Sequence, residues 1–209
     1  MRIVVIGCSG AGKTTLARAI AGRLSVPHIE HDAIKWQPGW RDLEQHDPDE
    51  FTRRLTAAIQ VDAWVLDDGA VIAYRRATHL VWLDYSRRVV MTRIIWRSVS
   101  RALLRTRVCG GNRERWCDLL HADGPIRWAW RNWDRRRRQA AERLAREDHA
   151  HLAILRLRRP GEIRRAITLL ATTYARSAAS EAGLAAVQNS CSPCENSGPK
   201  RQRATIESG

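Results

Sequence analysis

No stretch of the 209-residue chain comes near the roughly eighteen consecutive apolar residues that a membrane-crossing helix needs. Apolar runs such as Ile3 to Ile6 and Leu80 to Leu83 are strand-sized, so no membrane association is expected. Nor does an apolar segment with a cleavage site follow the first basic residue. Met1-Arg2-Ile3-Val4-Val5-Ile6 runs directly into Gly7, which argues against a secretory leader and makes the cytoplasm the expected compartment. Cysteine is sparse and odd in number: Cys8, Cys109, Cys117, Cys191 and Cys194 lie scattered, without the pairing of a disulfide framework. Cys191 and Cys194 have the spacing of a metal-binding pair, but structural zinc takes four ligands and no second pair follows. Internal repeats are absent. Lysine is nearly so, with Lys13, Lys35 and Lys200 against 33 arginines, so part of the +14 net charge is compositional bias toward arginine.

The position of that charge is more telling. Residues 1–85 carry 10 basic and 11 acidic groups, whereas residues 86–175 carry 22 and 8. All the excess lies in the middle and later part of the chain, and an anionic partner would meet it there.

Hydrophobic periodicity divides the chain into alternating strands and helices. Arg2 to Ile6 reads as a buried strand, Thr14 to Leu24 as a helix and Pro27 to Glu30 as a short second strand. A polar loop with Trp36 and Trp40 follows; nothing periodic buries these rings, and they are expected to face a ligand. Asp49 to Gln60 reads as a helix, with Asp47 as its cap and Pro48 at its first position. Ala63 to Leu66 and His79 to Leu83 are further strands, Val89 to Thr106 and Pro125 to Arg146 long helices, His151 to Leu157 the last strand, and Pro160 opens a helix to about Thr173. This alternation predicts an α/β domain over residues 1–175, a parallel sheet covered by helices on both faces. Beyond it the apolar period is lost, and residues 176–209 are expected to form a disordered tail.

The most specific motif is Gly7-Cys8-Ser9-Gly10-Ala11-Gly12-Lys13-Thr14, placed after a strand and before a helix. Glycines at 7, 10 and 12 allow backbone N–H groups to converge on phosphate oxygens at a helix N-terminus. Lys13 supplies a cation between the β- and γ-phosphates, and Thr14 a hydroxyl for Mg²⁺. The expected triphosphate cradle is therefore Gly7, Ser9, Gly10, Ala11, Gly12, Lys13, Thr14 and Thr15, with ATP and Mg²⁺ as cofactors. A second metal-side carboxylate should end a neighbouring strand. Asp67 is the first candidate, Asp68 the next; Asp84 reads rather as a cap for the helix beginning near Ser86.

These residues, together with Glu30-His31-Asp32-Ala33, Trp36-Gln37-Pro38-Gly39-Trp40, Gly111-Asn112-Arg113-Glu114 and Ile126-Arg127-Trp128-Ala129-Trp130, resemble the adenylate-kinase-like P-loop proteins often labelled topology modulation proteins. The resemblance covers about residues 1–172. It implies a P-loop NTPase of nucleoside-monophosphate-kinase type, with a five-stranded parallel sheet in the order 2-3-1-4-5 and an Arg-rich lid over about 97–135. Arg93-Ile94-Ile95-Trp96-Arg97 is similar to the start of such a lid, with Arg93 implied to pack on adenine and Arg97 to hold phosphate. Arg113, Arg127 and Arg131 are implied to close onto the transferring group, and Arg159 in Arg158-Arg159-Pro160-Gly161 to contact adenine. Glu30-His31-Asp32-Ala33-Ile34 also resembles the acceptor motif of shikimate kinases, which makes Asp32 the candidate acceptor-binding residue or base. Asp67-Asp68-Gly69-Ala70 departs from the family, being several residues shorter in the acceptor segment and lacking its Asn-Tyr.

Arg93, Arg97, Arg101 and Arg105 recur every fourth residue, as do Arg127, Arg131 and Arg135, and each set shares one helix face. Arg93, Arg97 and Arg113, which match the family's positions, read as phosphate-binding; Arg135 to Arg138 read as a solvated face. Trp128, Trp130 and Trp133 interleave with arginine, a pattern that stacks bases in some single-strand-binding proteins; burial in the core, with the arginines around it, is the expected arrangement. Cys109, Cys117 and His121 read as structural rather than zinc-binding. The reading as a whole is a monomeric Mg²⁺- and ATP-dependent phosphotransferase acting on a small acceptor, a nucleotide or nucleoside, with only non-specific contact to DNA. The alternative is an ATP-binding regulatory protein that acts on DNA with little or no kinase turnover.

Overall fold

The computed structural model describes residues 1–104 and 125–190. It begins with β1 (Arg2–Gly7), α1 (Lys13–Leu24), β2 (His28–Ile29) and α2 (His31–Lys35). A short hairpin of β3 (Trp36–Gln37) and β4 (Arg41–Asp42) leads into α3 (Leu43–His46) and α4 (Pro48–Ala58). Then come β5 (Trp64–Leu66), α5 (Val71–Arg76), β6 (His79–Leu83), α6 (Arg87–Leu104), α7 (Pro125–Leu144), β7 (Ala153–Leu157) and α8 (Ile163–Ser190). The main sheet is parallel throughout, in the order β2-β5-β1-β6-β7. Counting only its own five strands, that is the expected order 2-3-1-4-5.

Central placement explains the composition of β1. Ile3, Val4, Val5 and Ile6 are all buried, because the strand is paired on both edges and covered on both faces. Burial of each contributes ~1.5–3 kcal/mol relative to exposure. Alternation along the strand divides these residues between two apolar layers. Ile3 and Val5 face α1, α6 and α8, meeting Leu16, Ile20, Ile94 and Leu170. Val4 and Ile6 face α4 and α5, meeting Phe51, Leu55 and Tyr74.

Local chemistry sets the ends of the helices. The Asp47 carboxylate accepts a hydrogen bond from the Glu50 N–H at 3.1 Å, with Pro48 in the first turn of α4, as the sequence predicts. Asp84 does not cap α6. Its side chain is almost fully buried and accepts from two arginines: Arg137 of α7 at 2.5 and 3.1 Å, and Arg156 of β7 at 2.9 and 2.5 Å. A buried carboxylate at a strand end draws in charge-assisted donors before it turns to one weak backbone donor. Arg156 also lies over the Trp82 ring, 4.3 Å from its centroid.

Two compact units are present, Met1–Tyr174 and Ala175–Gly209. The final helix does not stop near Thr173 but runs to Ser190, where the sequence reading expected disorder. The segment 175–190 has no apolar stripe but is rich in alanine, whose intrinsic preference for helix is the highest of any residue. Among the described residues no helix is long and apolar enough to cross a membrane.

Burial would raise the Asp84 pKa, but its hydrogen bonds with Arg137 and Arg156 outweigh this and hold the carboxyl below its ordinary value. A depressed carboxylate contributes stability that is present above its unfolded pKa and lost as pH falls through the folded one. Asp84→Ala is expected to cost about 1.5–3 kcal/mol, and about 3–10 °C in Tm, at neutral pH. In thermal melts, the gap between variant and parent should narrow as the pH drops below 4. An unchanged Tm at pH 7 would show that the carboxylate is dispensable.

Candidate active site

The glycine loop joins β1 to α1 at the carboxyl edge of the sheet. Gly10 and Gly12 have φ of 79° and 96°, left-handed values that side-chain-bearing residues adopt only with strain. Gly10 is further restricted from outside, since a Cβ there would lie 2.1 Å from Cγ1 of Ile94 on α6. The Ala11 N–H closes the turn onto the Cys8 carbonyl at 3.0 Å, and Arg93 Nη1 donates to the Ala11 carbonyl at 2.7 Å. The Arg93 guanidinium also lies 5.1 Å from the centroid of Tyr85. Lys13 turns its ammonium back across the loop, donating to the Gly7 carbonyl at 3.2 Å and lying 3.4 Å from Asp68 Oδ2. Thr14, at the first turn of α1, has a half-buried side chain. The neighbouring Cys8 thiol is pushed up in pKa by burial, so it is a packing group rather than a nucleophile.

Beside the loop lies a cavity of about 300 Å³ whose walls include Gly10, Gly12, Thr15, Arg93, Arg97 and Ile163. The loop and the first two lid arginines of the sequence reading thus share one space. Arg159 stands just before it, in the turn preceding α8, with its backbone N–H held by the Glu162 carboxylate at 3.2 Å. Arg113 falls outside the described residues, as do Cys109, Cys117, His121, Cys191 and Cys194.

Asp67, the first candidate for the metal-side carboxylate, is committed elsewhere. Its buried side chain accepts the His31 N–H at 2.8 Å and lies 3.8 Å from His28 Nε2, so it pins the start of α2 to the end of β5. Asp68, one residue on, is the carboxylate beside Lys13. Adjacent residues at a strand end point to opposite faces, and only one of the pair can meet the loop. Asp32 is exposed on α2, with Oδ1 3.7 Å from His31 Nδ1. The neighbouring His31 imidazole, helped by the fields of Lys13 and Lys35 and opposed by burial, holds its carboxyl below the ordinary range.

A second cleft, of about 500 Å³, lies between α4 and α5. Its walls include Phe51, Leu55, Gly69, Ile72, Arg75 and Arg143. Gly69 directly follows Asp68, so the cleft begins where the Lys13 pair ends. Arg143 also lines a narrow space of about 70 Å³ shared with Gly7, Cys8, Asp68 and Asp84, which joins the cleft to the loop. Sequence reasoning missed Arg75, Arg143 and the Asp84 clasp. The visible signal for the clasp was Arg156, a charged residue within an otherwise apolar strand.

Trp36 and Trp40 stack edge to face on each other, with centroids 5.8 Å apart, across the β3–β4 hairpin. Trp133 packs against the core as expected, but Trp128 and Trp130 do not: they are 38% and 54% exposed. Arg127 and Arg131 line a groove with Met91, Ile95 and Trp130 that includes no residue of the glycine loop.

No protein-family model matches the chain, and no curated protein does. The fold is that of the P-loop kinases. The chain is similar to the structure of a deoxyadenosine kinase from M. mycoides with products dCMP and a flexible dCDP bound, at a TM-score of 0.53 and 12% identity over 83% of this chain and 98% of that one. A shikimate kinase from Bacteroides thetaiotaomicron matches at a TM-score of 0.48 and 18% identity, over 81% and 96%. A gluconokinase from Sinorhizobium meliloti 1021 matches at 0.47 and 17%, over 86% and 96%.

Lys13→Ala removes the loop's cation while leaving the buried face of α1 untouched. Calorimetry is expected to show Mg-ATP affinity reduced about 10- to 100-fold, the loss of one charge-assisted contact, at an unchanged Tm. Wild-type affinity in this variant would remove the loop from nucleotide binding.

Proposed function

We propose that the chain is an ATP-dependent phosphotransferase that passes the γ-phosphoryl group of ATP to a small acceptor held in the cleft between α4 and α5. The observation that carries this reading is continuity: Lys13 meets Asp68, and Gly69, the next residue, opens the cleft. A triphosphate on the glycine loop would thus end at the mouth of a second space of substrate size.

Phosphoryl transfer asks the protein mainly for alignment and charge neutralisation. In this reading Lys13 spans the β- and γ-phosphates, and Arg97, with Arg93 behind it, neutralises charge from the α6 side. Arg159 lies at the nucleoside end. Arg113 is a further candidate of the same kind. Asp32 receives the acceptor hydroxyl, and its lowered pKa keeps it an acceptor of hydrogen bonds at neutral pH. Arg75 and Arg143 favour an acceptor that carries its own anionic group, a nucleotide over a nucleoside.

Magnesium fits the oxygen donors present. The Thr14 hydroxyl has no partner among the described residues, and the half-exposed Asp68 carboxylate stands across from Lys13. Hard oxygens suit this ion, which takes few protein ligands when phosphates supply the rest. Bound there with ATP, it would neutralise charge on the β- and γ-oxygens.

The test is a panel of nucleotides, nucleosides and small hydroxy acids assayed with Mg-ATP for ADP release. One acceptor, a nucleotide, should raise the release well above water-only turnover. With it, Asp32→Asn is expected to lower kcat by about 10²–10⁴-fold with little change in ATP affinity. Because Asp32 is already ionised, the acid limb of the parent's rate should lie below about pH 4. A panel with no active acceptor would refute the proposal.

A further inference from the structure

Helix α7 carries more arginines than any other described element. Within its 20 residues are seven arginines against Asp134 and Glu142. The helical repeat of about 100° per residue puts Arg127, Arg131, Arg135 and Arg138 along one stripe, opposite the side on which Ala129 and Trp133 enter the core. Successive members of the first three stand roughly 6 Å apart along the axis, at about 1.5 Å of rise per residue. All four are exposed, and none meets a carboxylate of the described residues. Asp134, the one acid in the middle of the helix, is already paired with Arg87.

A solvated arginine face needs no aromatic rings, yet this one has them. Trp128 lies next to the stripe, exposed, with the Arg136 guanidinium 5.5 Å from its ring centroid. Trp130 is exposed on the flank, 4.8 Å from Arg87. Exposing indole costs free energy unless something covers it, and the charge around it selects an anion with flat, apolar parts. We infer that the outward face of α7 binds single-stranded nucleic acid. Phosphates lie along Arg127, Arg131, Arg135 and Arg138, and unpaired bases stack on Trp128 and Trp130. Duplex bases, already stacked on each other, offer the indoles no face, so the single strand is preferred. This inference is independent of the kinase reading, because no residue of the stripe belongs to the loop or the cleft.

The experiment measures the fluorescence anisotropy of labelled oligo(dT), of a duplex of equal length and of anionic phospholipid vesicles titrated with the full chain, at several salt concentrations. Oligo(dT) should bind tightest, with affinity falling linearly in log-log form against salt. Trp128→Ala should weaken oligo(dT) about tenfold or more without altering duplex binding or Tm. Arg131→Ala with Arg135→Ala should weaken both and lower the oligo(dT) salt slope by about 1.4, near 0.7 for each lost phosphate contact. Lys13→Ala should bind oligo(dT) as the parent does, which separates failure of this inference from failure of the kinase reading. Equal binding of duplex and oligo(dT) with Trp128→Ala silent would overturn the inference, as would tighter binding to vesicles or no binding at 50 mM salt.

Discussion

The contact on which the site depends is between a glycine and an isoleucine. Gly10 touches Ile94 so closely that no side chain fits between them, and Arg93, one residue before, reaches over to hold the Ala11 carbonyl. Helix α6 therefore supports the loop from outside while β1 and α1 hold it at either end. Backbone at left-handed φ is costly to keep in place, and interlocking of this kind makes a strained loop rigid. With its shape set, the loop places Lys13 against Asp68, one cavity is walled by the loop's Gly10 and Gly12, and the other begins at Gly69, the residue after Asp68.

The sheet was legible because its three central strands, β1, β5 and β6, are nearly all apolar and give way to glycine or aspartate. His79 to Leu83 matches the observed strand residue for residue, and the glycine motif falls between β1 and α1 as read. Orientation was harder to read. Asp67 and Asp68 are chemically identical neighbours, and only the direction in which β5 leaves the sheet decides that one pins α2 while the other meets Lys13. The acceptor-side cleft was out of reach for a related reason. Arg75 and Arg143 are 68 positions apart and share a wall only after α5 and α7 have docked on the same layer.

The tryptophans separate two kinds of reasoning. Size and apolarity predict burial, and Trp64 and Trp82 obey. Along α7, however, the core-facing side is narrow, occupied by Ile126, Ala129, Trp133, Ala140 and Leu144. Trp128 follows the inward stripe by too large an angle to join it, so helical geometry overrides residue preference. The tail shows the converse, where residues 175–190 form helix although the sequence has no apolar period there.

Asp84 has two guanidinium partners where one would neutralise it. A buried carboxylate with one partner locks that partner in place, because withdrawing it strands an anion in a poorly hydrated site. Here Arg156 is fixed in the sheet and continues to satisfy the charge if Arg137 departs. Losing the Arg137 contact alone then costs about one charge-assisted interaction, 1.5–3 kcal/mol, rather than an orphaned ion. Redundancy at the carboxylate thus keeps the buried charge at the end of β6 answered from within the sheet, whether or not Arg137 is in contact.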